Sequence, residues 1–465
     1  MKSIVLSVLC ALFTVATVNA QTKVFYVELA KNKEISANPI KECKQQNDSK
    51  KGSKLVIYPQ VELQEITGIG GAFNEIGGVA LMALPKKSRE DVMDKLFSED
   101  GAQFSLCRTA IGSSDFGTDA YSYAEVADDY KMAHFSIKRE KKSVIPYIKM
   151  AFKYNPEITL FASPWSPPGW MKHSGLMDQG DKTPDKNHLK DETKIYEAYA
   201  LYFSKYVEAY AKEGIVVDRL LIQNETDIHT KYPSCVMPPN QMYKFVADYL
   251  RPEFDKNNIT TGIWAGTFRT HGVLDAIEFA GTEKYRNAVD GIGIQYTKAR
   301  YISDMNFLAK GKPTMHTEGN CFNGKNTIEQ AYTRLNEVAS YINNGIPNYC
   351  YWNMILNETG NSGWGWKQNS LINIDREKQV VTYNPDYAVI ALLSKYMQPG
   401  AKRIASYANG TLISVKKDGK VFLFVQNESD KDKNYICVEN GETVASATVP
   451  AESVAVIIYE RNTLQ

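Results

Sequence analysis

Between residues 66 and 354 the chain alternates short, mainly apolar runs with longer amphipathic segments. The short runs are ITGIGGAF (66–73), FSLCRTAIG (104–112), ITLFASPW (158–165), RLLIQNE (219–225), TTGIWAGT (260–267), VDGIGIQYT (289–297), PTMHTEG (313–319) and NYCYWNM (348–354). Strands that are apolar on both faces belong to parallel sheets covered by helices, and eight of them separated by helical stretches predict a (β/α)8 barrel rather than a doubly wound sheet. The clearest helix is expected over 192–213, where Tyr199, Tyr202, Phe203, Tyr206 and Tyr210 form a stripe that reads as packing against the barrel.

The ends of the chain follow a different period. From residue 400 onward, TLISVKK, KVFLFVQN, NYICVEN and SVAVIIYE alternate apolar with polar and are broken at Asp418-Gly419 and Asn440-Gly441, the pattern of antiparallel strands joined by tight turns. The segments KVFYVEL and KLVIYPQVEL within 23–64 are strand-like as well and are expected to complete the same all-β unit. The predicted layout is a signal segment over 1–20, sandwich strands over 21–64, the barrel over 65–397 and the rest of the sandwich over 398–465. Residues 1–20 run from a basic Lys2 through an apolar stretch, Ile4 to Val18, to a small-residue end at Ala20, the form of a cleavable export signal. Secretion or periplasmic delivery is expected, with cleavage after Ala20; lipid attachment at Cys10 is the competing reading. No later run supplies the ~18 apolar residues of a membrane span.

Composition narrows the function. Lys and Arg number 54 against 53 Asp and Glu, so no charge excess exists to bind a phosphate backbone, and nucleic acid is not an expected partner. Beyond Cys10 there remain six cysteines, at 43, 107, 235, 321, 350 and 437; an even number in an exported chain permits disulfides, yet Cys107 and Cys350 sit in strand-like apolar runs and are expected to pack as small hydrophobes. No C-x-x-C pair or H-E-x-x-H stretch is present, so no metal site is assigned.

In a barrel of this kind the chemistry sits at the carboxyl ends of the strands. The fourth run turns polar at Gln223-Asn224-Glu225 and the seventh ends His316-Thr317-Glu318, which brings two carboxyls to one rim. Such a pair is what glycoside hydrolysis needs, one group to protonate the leaving oxygen and one to attack, or activate water at, the anomeric carbon. Arg108 and Asp115 follow the second run, Trp165 ends the third, and Trp352-Asn353 end the eighth; rings interleaved with polar groups suit sugar recognition.

With these residues in place, the chain resembles glycoside hydrolase family 30, which includes lysosomal glucosylceramidases and microbial β-1,6-glucanases. ITGIGGAFNE, the Arg108–Asp115 segment, LFASPWSPPGWMK, IQNE and TEG stand in the family's order over about residues 66–460, and WGWKQNSLINID (364–375) is closer to the glucanase branch. The resemblance implies a (β/α)8 barrel with a β-sandwich, a retaining mechanism and no cofactor. It implies Glu225 as acid/base, Glu318 as nucleophile, Asn224 at the sugar 2-hydroxyl, Asp115, Trp165 and Trp352 around the sugar, and Arg108 beneath the carboxyls.

Two departures stand out. Thr226 replaces the family's proline, and Gln295-Tyr296-Thr297 replaces its His-x-Tyr. Tyr296 is placed among the substrate-binding residues, but strand alternation points Tyr296 and Thr297 to opposite faces, so Tyr296 is not expected to orient the nucleophile. The expected activity is a monomeric, secreted retaining β-glycosidase acting on carbohydrate or glycolipid, with β-1,6-glucan as leading substrate and glucosylceramide as runner-up; a catalytically weakened sugar-binding barrel is the alternative. Specificity beyond the leaving oxygen is expected from loops 114–136, 173–190 and 227–240.

Overall fold

The computed structural model describes residues 22–31, 33–44, 51–269 and 272–461. The proposed signal segment and Cys10 therefore lie outside the described residues. Eight strands ring the barrel: β1 (Gly68–Gly71), β2 (Leu106–Ala110), β3 (Thr159–Ser163), β4 (Arg219–Leu221), β5 (Gly262–Phe268), β6 (Gly291–Ile294), β7 (Thr314–His316) and β8 (Asn348–Tyr351). From β2 to β7 they form one parallel sheet in chain order, and β8 pairs with β1 in parallel. A parallel bridge between Ala72 and Arg108 joins β1 to β2, and the Gly319 N–H donates to the Cys350 carbonyl at 2.8 Å, so the ring closes at both seams. The predicted (β/α)8 barrel is present.

The helix α1 (Thr193–Lys212) carries the aromatic stripe, and all five of its rings are buried against the barrel side of the molecule. The helices α2 (Ile328–Ile342) and α3 (Pro385–Tyr396) follow β7 and β8. Helix α2 opens with a capping box, Thr327 accepting from the Gln330 N–H while the Gln330 side chain accepts from the Thr327 N–H, which satisfies two otherwise orphaned donors.

Nine strands from the two ends of the chain make one further sheet. The first three, Lys23–Glu28, Ile40–Glu42 and Ser53–Glu65, interleave with six from Lys402 to Glu460. All but one pairing is antiparallel, the exception joining Lys433–Glu439 to Ser53–Glu65. Alternate residues such as Leu55, Ile57, Leu423, Val425 and Ile457 build a core separate from that of the barrel. Asp418-Gly419 and Asn440-Gly441 turn with positive φ at both residues, as two-residue hairpins require. Helix α3 is buried from Asp386 to Ser394 and contacts both β1 and the Lys23–Glu28 strand, filling the seam between barrel and sandwich. Cys107, Cys235, Cys321, Cys350 and Cys437 are free thiols. Cys350 faces the barrel interior, while Cys107 packs in the layer outside it.

Candidate active site

Strand alternation builds the site. Leu106, Phe161, Leu221, Met315 and Cys350 meet inside the barrel. Two residues further along the same strands come Arg108, Ser163, Gln223, Thr317 and Trp352, which the two-residue period turns the same way. An apolar plug is thus capped by a largely polar layer at the carboxyl end of the barrel.

Arg108 is the hub of that layer. Its guanidinium is fully buried and donates to Ser163 Oγ (2.7 Å from Nη2), Asn224 Oδ1 (2.7 Å), the Thr317 carbonyl (3.2 Å) and Glu318 Oε2 (2.6 Å). The Trp165 ring lies 4.5 Å from the guanidinium carbon, and Trp352 stacks on Trp165 with centroids 5.1 Å apart. A cation so enclosed is stable only because every face meets a carboxylate, a carbonyl or a π-surface.

Glu225 and Glu318 stand on either side of Gln295, whose Nε2 lies 3.3 Å from Glu225 Oε1 and 3.3 Å from Glu318 Oε2. These two oxygens are therefore no farther apart than twice that distance, which leaves only the lower edge of the ~6.5–9.5 Å separation of inverting glycosidases and admits the ~5–5.5 Å of retaining ones. Tyr296 Oη donates to Glu318 Oε1, and Tyr232 Oη donates to Glu225 Oε2 at 3.2 Å. The expectation drawn from alternation for Tyr296 fails. Tyr296 lies past the end of β6 with φ +51°, in the left-handed region, so the strand's face rule no longer applies to it. Glu225 and Asn353 also leave their strands with φ of +47° and +54°.

The two carboxyls differ electrostatically. Burial pushes Glu225 up to about 7, and the neighbouring Glu318 charge adds to the rise while Arg269 and Tyr232 oppose it. Burial also raises Glu318, but Arg108, Tyr296 and Gln295 all favour its charged form. Glu318 is accordingly the member of the pair that ionises first, leaving Glu225 to hold the proton. Asp115 is raised well above the usual range by burial and then by the charges of Glu318 and Glu225.

Asp115, Trp165, Asn224, Glu225, Tyr296 and Glu318 line one cavity of about 850 Å³. Arg108 and Trp352 lie beneath its wall. Asn353 is fully buried behind it, accepting from Asn74 and donating to Gln368, and it is Gln368 that faces the cavity. Asp115 Oδ1 and Trp352 Nε1 are buried with no hydrogen-bond partner among the described residues, and the first, on the cavity wall, is an acceptor that a sugar hydroxyl can satisfy. Tyr232, Trp366 and Gln368 escaped the sequence reading. Tyr232 and Gln368 lie in aperiodic loops that carry no signal, whereas the paired tryptophans of WGW at 364–366 could have flagged a ring near the mouth. Of loops 114–136, 173–190 and 227–240, Asp115, Ile228 and Tyr232 face the cavity. His316 points away from the cavity, stacked at 4.3 Å on Tyr349.

A carboxyl pair of unequal acidity, bridged by an amide and set in a ring-lined cavity at a barrel mouth, defines a glycoside hydrolase. Residues 66–264 match the Glycosyl hydrolase family 30 TIM-barrel domain, and the chain is a glycoside hydrolase. It is 29% identical over 381 residues to putative glucosylceramidase 3 of Caenorhabditis elegans, covering 77% of this chain and 72% of that protein. It is also 29% identical over 215 residues to the endo-1,6-beta-D-glucanase neg1 of Aspergillus fumigatus, covering 43% of each. Among solved structures, SrfJ from Salmonella typhimurium superposes with TM-score 0.84 at 22% identity, over 95% of this chain and all of that one. The endo-beta1,6-glucanase BT3312 follows with TM-score 0.79 at 21% identity, over 95% and 99%. At that identity the two structures speak for the fold alone.

Proposed function

We propose that this chain is a secreted retaining β-glucosidase-type hydrolase whose leading substrate is β-1,6-linked glucan. The observation that carries the reading is the unequal carboxyl pair bridged by Gln295. Glu318, paired with Arg108, attacks the anomeric carbon and forms a glycosyl ester, while Glu225 gives its proton to the departing oxygen. Glu225, now ionised, takes a proton from water, which attacks the same carbon from the face the leaving group vacated and releases Glu318. Two inversions return the β configuration.

Of the two departures behind the weakened, sugar-binding alternative, the one at 295–297 favours activity instead, since Gln295 and Tyr296 both touch the carboxyls. Glucosylceramide is a second reading, supported by the greater length over which the chain matches the glucosylceramidase relative. Incubation with β-1,6-glucan and with glucosylceramide, followed by NMR of the first product, tests both. β-Glucose-ended products from the glucan are expected. Initial release of α-configured sugar from a β-glucoside overturns the retaining mechanism, and turnover confined to glucosylceramide overturns the substrate.

A further inference from the structure

The cavity that holds Glu225 and Glu318 is walled by different groups on its two sides. On one side, Tyr232 from the loop after β4 meets Trp366 from the loop after β8, with ring centroids 4.8 Å apart. Trp366 in turn packs edge-on against Phe116 at 6.5 Å, and Trp364 Nε1 donates to Asp178 Oδ2 at 3.3 Å. The buried Lys172 ties the same loops from below, donating to the carbonyls of Met177 at 3.0 Å and Ser234 at 2.7 Å. On the other side the cavity continues past Glu318, between Lys298 after β6 and the segment from Asn320 to Phe322 after β7.

The floor of this extension is one face of α2. Thr333, Glu337 and Ser340 line it at spacings of four and three, the repeat of a single helix face. Because α2 lies outside the ring of strands, the space is an arm leading away from the barrel axis. Its walls are held in place. The Asn320 N–H donates to Glu337 Oε1 at 3.0 Å and the Asn320 carbonyl accepts from Arg334 Nη2 at 2.7 Å, while Tyr349 Oη donates to Glu337 Oε2 at 2.9 Å.

We propose that this arm binds a further glucosyl unit of the substrate chain; the assignment rests on the β-glucan reading above. The whole cavity, about 850 Å³, is near the top of the ~300–1,000 Å³ that accommodates drug-sized ligands, more than a single hexose occupies. Two hydroxyls, an amide, a carboxylate and an ammonium offer both donors and acceptors, with the Phe322 ring as one apolar surface. A polyhydroxylated ring satisfies such groups. An acyl chain would strip their water and give no hydrogen bond in return.

Thr333→Trp and Ser340→Trp fill the arm from its floor at positions that are exposed and half-buried, so neither enters the core. Each is expected to lower kcat/KM for β-1,6-linked gluco-oligosaccharides at least about tenfold more than for an aryl β-glucoside, a difference of roughly 1.4 kcal/mol in transition-state binding. Parallel losses on both substrates, or no loss in either variant, overturn the arm. A wild-type protein that cleaves aryl β-glucosides but no β-1,6-linked oligosaccharide overturns the occupant while the glycosidase reading stands. A wild-type protein inactive on every β-glucoside overturns that reading itself.

Discussion

Tyr296 illustrates how much a single backbone angle decides. Its left-handed φ of +51° costs of order 1–3 kcal/mol for a non-glycine residue, and the contact obtained is a hydroxyl on Glu318. Tyr296→Phe removes one donor to a carboxylate, an interaction worth about 1.5–3 kcal/mol. The expected result is a fall of roughly 10- to 100-fold in kcat/KM, with the acid limb of the pH profile moved upward because Glu318 is less easily ionised. Glu225→Ala separates the two chemical steps. An activated aryl glucoside needs little protonation to leave, so the variant should still form the glycosyl ester and then stall, visible as a burst and as added mass on the intact protein. Equal losses on activated and unactivated substrates, with no trapped ester, would contradict the acid/base assignment.

Among the elements, β1 and β6 show why short glycine-rich strands occur in this barrel. A Cβ on Gly70 would stand 2.1 Å from the Leu106 carbonyl oxygen, a backbone atom of the next strand. On Gly293 it would stand 2.2 Å from Leu221 Cδ2, the tip of a side chain. A side-chain tip can rotate and a ladder carbonyl cannot. Gly70→Ala is therefore expected to cost more than Gly293→Ala, with the first at or above the top of the ~1–3 kcal/mol range of overpacking, as measured by urea unfolding. The reverse order would show that β1 can shift away from β2.

For the molecule as a whole, two buried carboxyls tie stability to pH. Burial pushes Glu140 up to about 7 although Tyr123, Tyr210 and Tyr121 all donate to it, and Glu225 is likewise held at about 7. A folded value above the ordinary 4.5 means that the native state holds these protons longer than the unfolded chain does. Their favourable contribution is complete below about pH 4.5 and is lost as pH rises through 7. At 1.36 kcal/mol per pK unit, Glu140 accounts for roughly 3 kcal/mol across that window. Glu140→Gln should flatten the decline of Tm between pH 5 and pH 8, and an unchanged pH profile of Tm would remove Glu140 from this account. The same ionisation of Glu225 should lower kcat/KM for unactivated substrates above about pH 7.

The amino-acid sequence by itself determined the eight-strand period, the helix at α1, the antiparallel turns at Asp418-Gly419 and Asn440-Gly441, and the placing of Glu225 and Glu318 on one rim. Each of these follows from local periodicity, from turn chemistry or from a strand ending in polar residues, and such signals are written within a few consecutive positions. Tertiary structure alone decided the rest. It withdrew Asn353 from the cavity and put Gln368 there, brought Tyr232 to Glu225, and turned Tyr296 onto Glu318 against the alternation of its strand. It also joined the loops after β4 and β8 through Tyr232 and Trp366 and set one face of α2 along the cavity. The physical reason is common to all of these: where a chain leaves a strand its dihedral angles are no longer bound to a repeat, so which side chains meet is settled by packing among segments far apart in sequence.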